Sequence, residues 1–160
     1  MGSSYSNSYT NTKERSQPYQ TYYHVIEGII EDDKAKGSYV NGSYLKNPTA
    51  KNIYELINGE YIGDKNFSSD SLTYVIDEND KIIVGKRNGN GRNGIPTPHP
   101  SLIGGPDPKV KMAGILQVEN GKIVGYDDRS GHYRPNKKSL EIAEEIFNKL
   151  PKHLFKNRRK

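Results

Sequence analysis

The chain contains no cysteine. Disulfides, thiolate catalysis and cysteine-based zinc sites are therefore excluded, and the fold tolerates reducing and oxidising surroundings alike. Apolar residues are scarce, at 32% of the total. No apolar run reaches the length of a transmembrane helix, and no signal-peptide pattern of basic, apolar and small-residue regions is present. Membrane insertion is not expected. Any export is expected to depend on a larger carrier protein. The shortage is uneven: residues 1–20 hold no Val, Ile, Leu or Phe and are rich in Ser, Asn, Tyr and Thr. Such a composition buries too little surface to offset ordering entropy, so residues 1–20 read as a flexible lead-in. Residues 21–155 then form a single domain, within the usual size range.

What the chain has in excess is positive charge, +5 net over 160 residues. This favours polyanionic partners such as RNA, nucleotides or an acidic inhibitor protein. Part of the charge lies in a basic tail, residues 156–160.

Thr21 to Ile30 is the first apolar segment, a strand or a short helix. Glu31 to Gly42 is charged and reads as a loop, and Asn47-Pro48-Thr49 as a helical turn. Three strand–turn–strand units follow. Ile53–Ile57 and Glu60–Gly63 flank Asn58-Gly59. Leu72–Ile76 and Lys81–Gly85 flank Asp77–Asp80. Gly114–Val118 and Lys122–Tyr126 flank Asn120-Gly121. Asn-Gly tolerates positive φ at both positions and is a strong hairpin signal. The expectation is an α+β fold: an antiparallel β-meander of about five or six strands. A C-terminal amphipathic helix over Lys137–Leu150, with Leu140, Ala143, Ile146, Phe147 and Leu150 on one face, should cover one side of it. Between the second and third hairpins lies a long polar insertion, Lys86 to Met112, of the kind that is usually functional or disordered.

Four stretches carry candidate chemistry. Gly89-Asn90-Gly91-Arg92 copies the tail of a Fic AMP-transferase motif but lacks its preceding His and its helix, so a flexible loop is expected. It is no Walker A loop either. Pro98-His99-Pro100-Ser101 holds a histidine on a restrained backbone, and Gly104 and Gly105 permit close backbone approach to a ligand. Arg129-Ser130-Gly131-His132-Tyr133-Arg134-Pro135 gathers an imidazole, a phenol, a hydroxyl and two guanidinium groups before the helix. His24 lies in an aromatic-rich edge, where an NAD-binding role is conceivable. His99 and His132 together supply a general base and a general acid near neutral pH without a metal. Arg134 would stabilise developing negative charge, while Tyr133 and Ser130 orient the scissile group, and Arg129 with Ser101 would help bind the substrate. Two histidines without a spaced carboxylate make a poor zinc site, although Asp127-Asp128 leave a weak cation site open. No paired carboxylates suggest a glycosidase.

The span from Tyr54 to Leu150 resembles a domain found in plant IQ-motif calmodulin-binding (IQM) proteins and in C-terminal domains of bacterial Rhs-type polymorphic toxins. The resemblance runs through Tyr74-Val75 to Val84-Gly85, His99-Pro100-Ser101-Leu102-Ile103-Gly104-Gly105, Ala113-Gly114, Gly121-Lys122 and Ser130-Gly131-His132-Tyr133-Arg134-Pro135. The family has serine where this chain has Pro100, which leaves the hydroxyl role there to Ser101. The IQ motif itself is missing, so calmodulin binding does not carry over. The resemblance implies a toxin module delivered by a larger carrier into a target-cell cytoplasm and neutralised by a cognate immunity protein. The expected activity is a metal-independent ribonuclease that needs no cofactor. The alternatives are an ADP-ribosyltransferase or NAD-consuming toxin with NAD as co-substrate, and a non-catalytic binding module in which His99 and His132 lie far apart.

Overall fold

A computed structural model describes residues 16–87 and 95–156. The Gly89–Arg92 stretch, most of the lead-in and residues 157–160 of the basic tail lie outside the described residues. The chain runs α1 (Glu27–Lys36), β1 (Tyr39–Val40), β2 (Ser43–Tyr44), β3 (Lys51–Asn52), β4 (Ile57–Asn58), β5 (Tyr61–Ile62), β6 (Asp70–Asp77), β7 (Ile82–Lys86), β8 (Val110–Glu119), β9 (Lys122–Tyr126) and α2 (Leu140–Phe147). The main sheet has five strands in the order β3-β7-β6-β8-β9, and all its pairs are antiparallel. The α+β architecture is thus present. Among the described residues, no helix is long and apolar enough to cross a membrane.

Two of the three hairpins form as the turn chemistry directs. Asn120 and Gly121 adopt φ of 49° and 81° between β8 and β9, the geometry that matches strand twist in a two-residue turn. The first is much shorter than expected. Ile53–Leu56 winds into a 3₁₀ turn because Asn52 accepts from Tyr54 N–H while Glu55 accepts from Asn52 N–H, a capping box. Only Ile57–Asn58 and Tyr61–Ile62 remain to pair.

The strand order departs from a sequential meander at two points, β3 beside β7 and β8 beside β6, and the second makes the site. β8 pairs with β6, on the side away from β7. Both flank β6 antiparallel, so β7 and β8 run parallel to each other, and the chain between them must cross a face of the sheet. The Lys86–Met112 insertion is this crossover. Leu102 anchors it, packing with Val75 and Ala113 and occupying the space beside Gly85, where a Cβ would lie 2.7 Å from its methyl.

Alternation along the strands serves both faces. Leu72, Tyr74 and Ile76 of β6 point to the side that holds Ala143, Ile146 and Phe147 of α2. Phe147 stacks on Tyr126 at 4.1 Å and meets the edge of Tyr74 at 5.4 Å. Val75 and Ala113 point to the opposite side, with Tyr23, Tyr44 and Tyr133. α2 is shorter than the expected 137–150 helix, since Lys137–Ser139 forms a 3₁₀ turn capped by Asn136.

Two N-terminal expectations are replaced. Glu31 to Gly42, read as a loop, is largely α1 and the β1–β2 hairpin. Residues 16–20 of the lead-in are docked: Gln17 N–H donates to Arg134 O, its side-chain amide donates to Tyr133 O, and Asn136 donates to Gln17 O.

Gly114 has no room for a side chain, because a Cβ there would sit 1.9 Å from the Asp127 carbonyl oxygen. Gly114→Ala should therefore lower unfolding stability by about 3 kcal/mol or more. Gly28→Ala, in an exposed position of α1 with nothing within 4 Å, should raise it by about 0.5 kcal/mol through helix propensity. Urea denaturation midpoints check both.

Candidate functional site

The crossover, the sheet and the segment after β9 enclose one cleft of about 650 Å³. Thr73 and Ile115, register partners on β6 and β8, contribute to its lining from the sheet. Arg87 and Ile95–His99 line it from the crossover, and Arg129–His132 from the segment after β9. The two histidine segments singled out in the sequence thus meet in one cavity.

His99 opens a 3₁₀ turn, His99–Leu102, started by Pro98 and closed by Ser101 Oγ donating to Pro98 O at 2.6 Å. Its ring is 7% exposed, and Nε2 donates to the Gly114 carbonyl at 2.8 Å. A carbonyl only accepts, so the proton sits on Nε2 and the lone pair on Nδ1. Burial pushes the imidazole down to about 4, against the Gly114 hydrogen bond and with help from the charges of His132 and Arg87. At pH 7 the ring is neutral.

His132 has a different partner. Its Nε2 lies 3.0 and 3.2 Å from the two carboxylate oxygens of Asp33, in α1. Asp33 is 3% exposed and also accepts from the Tyr44 hydroxyl. Burial alone would raise the Asp33 carboxyl, but the hydrogen bonds from His132 and Tyr44 and the charges of His132 and Lys36 outweigh it, and its pKa is lowered. The Tyr44 phenol is pushed well up, by burial and then by Asp33, so the shared proton stays on Tyr44. An ionised carboxylate behind an imidazole fixes its tautomer and stabilises the imidazolium it forms.

The guanidinium groups divide. Arg87, at the end of β7, is exposed and lines the cleft. Arg129 lines it too, held by its own backbone N–H and its Nη2 on the Asp127 carboxylate. That carboxylate also accepts from Ile115 N–H. Arg134 is outside the lining. It takes φ of 42° to close a turn, its N–H donating to Ser130 O at 2.7 Å.

Several other expected site residues serve the scaffold. Tyr133 is fully buried, with its hydroxyl donated to Pro108 O at 2.6 Å, so it packs beneath the site. Ser101 is 1% exposed and bonded within its own turn. Gly104 and Gly105 adopt φ of 78° and 92°, and Gly105 exchanges both backbone hydrogen bonds with Tyr44. They dock the β1–β2 hairpin instead of touching the cleft. His24 is at the surface, paired with Asp107 at 2.9 Å, and does not line the cleft. Ser130 does line it, buried, with Oγ accepting from Tyr133 N–H. Asp127 and Asp128 join no metal-binding cluster: among the described residues no three His, Asp or Glu side chains are grouped to hold an ion.

Asp33, Tyr44 and Arg87 escaped the sequence reading. One signal was present. Glu27 in the first turn, Lys34 and Lys36 in the last and Gly37 as left-handed cap are the marks of a helix, and they place Asp33 on one. Its pairing with His132 spans 99 positions and leaves no trace in spacing. Comparison of the chain with protein-family models, curated proteins and solved structures gives no match.

Two buried groups make opposing contributions to acid stability. His99 titrates near 6.5 when unfolded and about 4 when folded. As pH falls between these values the unfolded chain binds a proton that the folded one refuses, and stability drops by up to about 3 kcal/mol. Asp128, fully buried, is pushed by burial and then by Asp127 from 3.8 to about 7. Between pH 7 and 4 the folded protein holds a proton there that the unfolded chain lacks, so stability rises as pH falls. The two effects nearly cancel in the wild type. Asp128→Asn should therefore make stability fall from pH 7 to 4, and His99→Gln should make it rise more steeply than in the wild type. Urea titrations at several pH values check both signs.

Proposed function

We propose that this domain cleaves RNA by metal-independent general acid–base catalysis, as the enzymatic part of an antibacterial polymorphic toxin. One observation carries the reading: His99 and His132 line the same cleft, each with Nε2 engaged, on the Gly114 carbonyl and the Asp33 carboxylate respectively. In this reading the Nδ1 of each ring is the atom that meets the substrate. Their shared cavity supports the catalytic reading over the binding-module alternative, which placed the two histidines far apart.

His99, neutral at pH 7, takes the base role and accepts the proton of a ribose 2′-hydroxyl. The 2′-oxygen attacks phosphorus and the bond from phosphorus to the 5′-oxygen breaks. His132, its imidazolium supported by Asp33, donates the proton to that leaving oxygen. The products are a 2′,3′-cyclic phosphate and a 5′-hydroxyl. Arg87 and Arg129 face the cleft and offset the charge that grows on the phosphate oxygens. The net charge of +5 favours encounter with RNA and with an acidic immunity protein. In this setting a larger carrier delivers the domain to the target-cell cytoplasm, where the immunity protein blocks it. The rival reading, with NAD as co-substrate, uses the same cleft; its optional further residue, His24, pairs with Asp107 at the surface and does not line the cleft.

Incubation with total RNA in EDTA, beside a parallel incubation with labelled NAD, tests the proposal. The expected result is cleavage to cyclic-phosphate ends and intact NAD; uncut RNA, or consumed NAD, sinks it. His99→Gln and His132→Ala should each lower the rate by about 10² or more while far-UV and near-UV spectra stay native. His132→Ala should also abolish toxicity. The acid limb of kcat/KM should fall near pH 4, the value for His99, because activity rises with pH as His99 loses its proton. An acid limb near 6.5 would remove His99 from the base role.

A further inference from the structure

We propose that Gly131 is kept free of a side chain so that an unpaired RNA backbone can lie against it, which makes the domain selective for single-stranded over duplex RNA; this rests on the ribonuclease reading above. A glycine is ordinarily required by positive φ or by crowding where a Cβ would stand. Gly37, Gly59, Gly104 and Gly121 have the first reason, and Gly85 and Gly114 the second. Gly131 has neither. The φ of Gly131 lies outside the left-handed region, and among the described residues no atom stands within 4 Å of its Cβ position. Yet it is exposed and lines the cleft between Ser130 and His132. Its turn is closed independently, by Arg134 N–H on Ser130 O. The backbone would accept a side chain; the open space it would fill is the cleft beside the proposed acid.

The size of the cleft points to the kind of RNA. About 650 Å³ is the volume of a small-molecule pocket. It admits a nucleotide drawn away from its neighbours, as in unpaired RNA, whereas a duplex keeps its bases stacked and presents only its outer surface. Thr73 and Thr97 in the lining donate their hydroxyls to Gly85 O and Arg87 O, which leaves Arg87 and Arg129 to supply positive charge to the cleft.

The probe is a fluorescent oligoribonucleotide with 2′-O-methyl riboses, which cannot be cleaved through the 2′-oxygen, offered alone and annealed to its complement. Anisotropy should show the wild type binding the single strand at least about tenfold more tightly than the duplex. Gly131→Val should weaken that binding by about tenfold or more at an unchanged melting temperature, with Gly131→Ala between and Gly28→Ala equal to wild type. Arg87→Ala should flatten the dependence of log affinity on log salt by about 0.7, one phosphate contact on a single strand. Unmodified RNA is assayed for cleavage in parallel. If RNA is cleaved but Gly131→Val binds and cleaves like wild type, or duplex binds as well as single strand, this inference falls and the ribonuclease reading stands. If Gly131→Val melts early, the position is packed and the inference falls too. If the wild type neither binds nor cleaves RNA, the ribonuclease reading falls and this one with it.

Discussion

The passage of the Asp127 backbone across Gly114, at a distance that forbids even a methyl group, is the constraint on which the rest of the molecule depends. Asp127 is held there from three directions. The Tyr74 hydroxyl donates to its carbonyl, its N–H donates to Ile115 O, and its carboxylate accepts from Ile115 N–H. The same carboxylate receives the backbone and guanidinium of Arg129, so the start of the 129–132 segment is aimed by the sheet. Gly114 in turn offers its carbonyl to His99. One bare position on β8 thus fixes both walls of the cleft. The contacts of Tyr74, Ile115 and His99 are buried, where an unmade hydrogen bond costs about 1–3 kcal/mol, so none of these can slip without cost to the others, while those of Arg129 are half-buried.

The second half of the site is braced from outside the sheet. α1 carries Asp33, and its first turn is tied to the His132 segment by Ile26 N–H on His132 O. The β1–β2 hairpin brings Tyr44 to the same carboxylate, and Gly105 pins Tyr44 through a pair of backbone bonds. The left-handed glycines after His99 and the Asp33–His132 pair are therefore parts of one device: the crossover that positions one imidazole also holds the strand that positions the partner of the other.

How much of this could be read from the chain follows from the range of the forces involved. The β6–β7 and β8–β9 hairpins, the covering helix and the long insertion were legible, because turn residues and alternation act over a few positions. The convergence of the His99 and His132 segments was legible as a pattern of residue types. Strand order was not. Pairing of β8 with β6 instead of β7 is decided by which faces bury best, and the crossover it creates has no local signature. The places of Tyr133 and Arg134 outside the cleft lining were hidden for a related reason. A phenol and a guanidinium beside a histidine look reactive in sequence, but a tight turn sends neighbouring side chains in different directions, and Tyr133 goes into the core. Asp33 was hidden because its helix carries little apolar patterning, with Ile29 and Ile30 only partly buried against the core.

The distance in sequence between the parts of the site sets the order in which the site comes into being. Asp33 and His132 are 99 positions apart, and Gln17 reaches Asn136 across 119. Such contacts form late, because chain closure over that length is unfavourable until the intervening sheet is in place. During synthesis, α1 and the β6–β7 hairpin leave the ribosome with Asp33 facing no imidazole and His99 lacking the Gly114 carbonyl that fixes its tautomer. A chain truncated anywhere before residue 132 has half a cleft and no imidazole opposite Asp33. The cleft is thus completed only when the last third of the chain closes over the sheet.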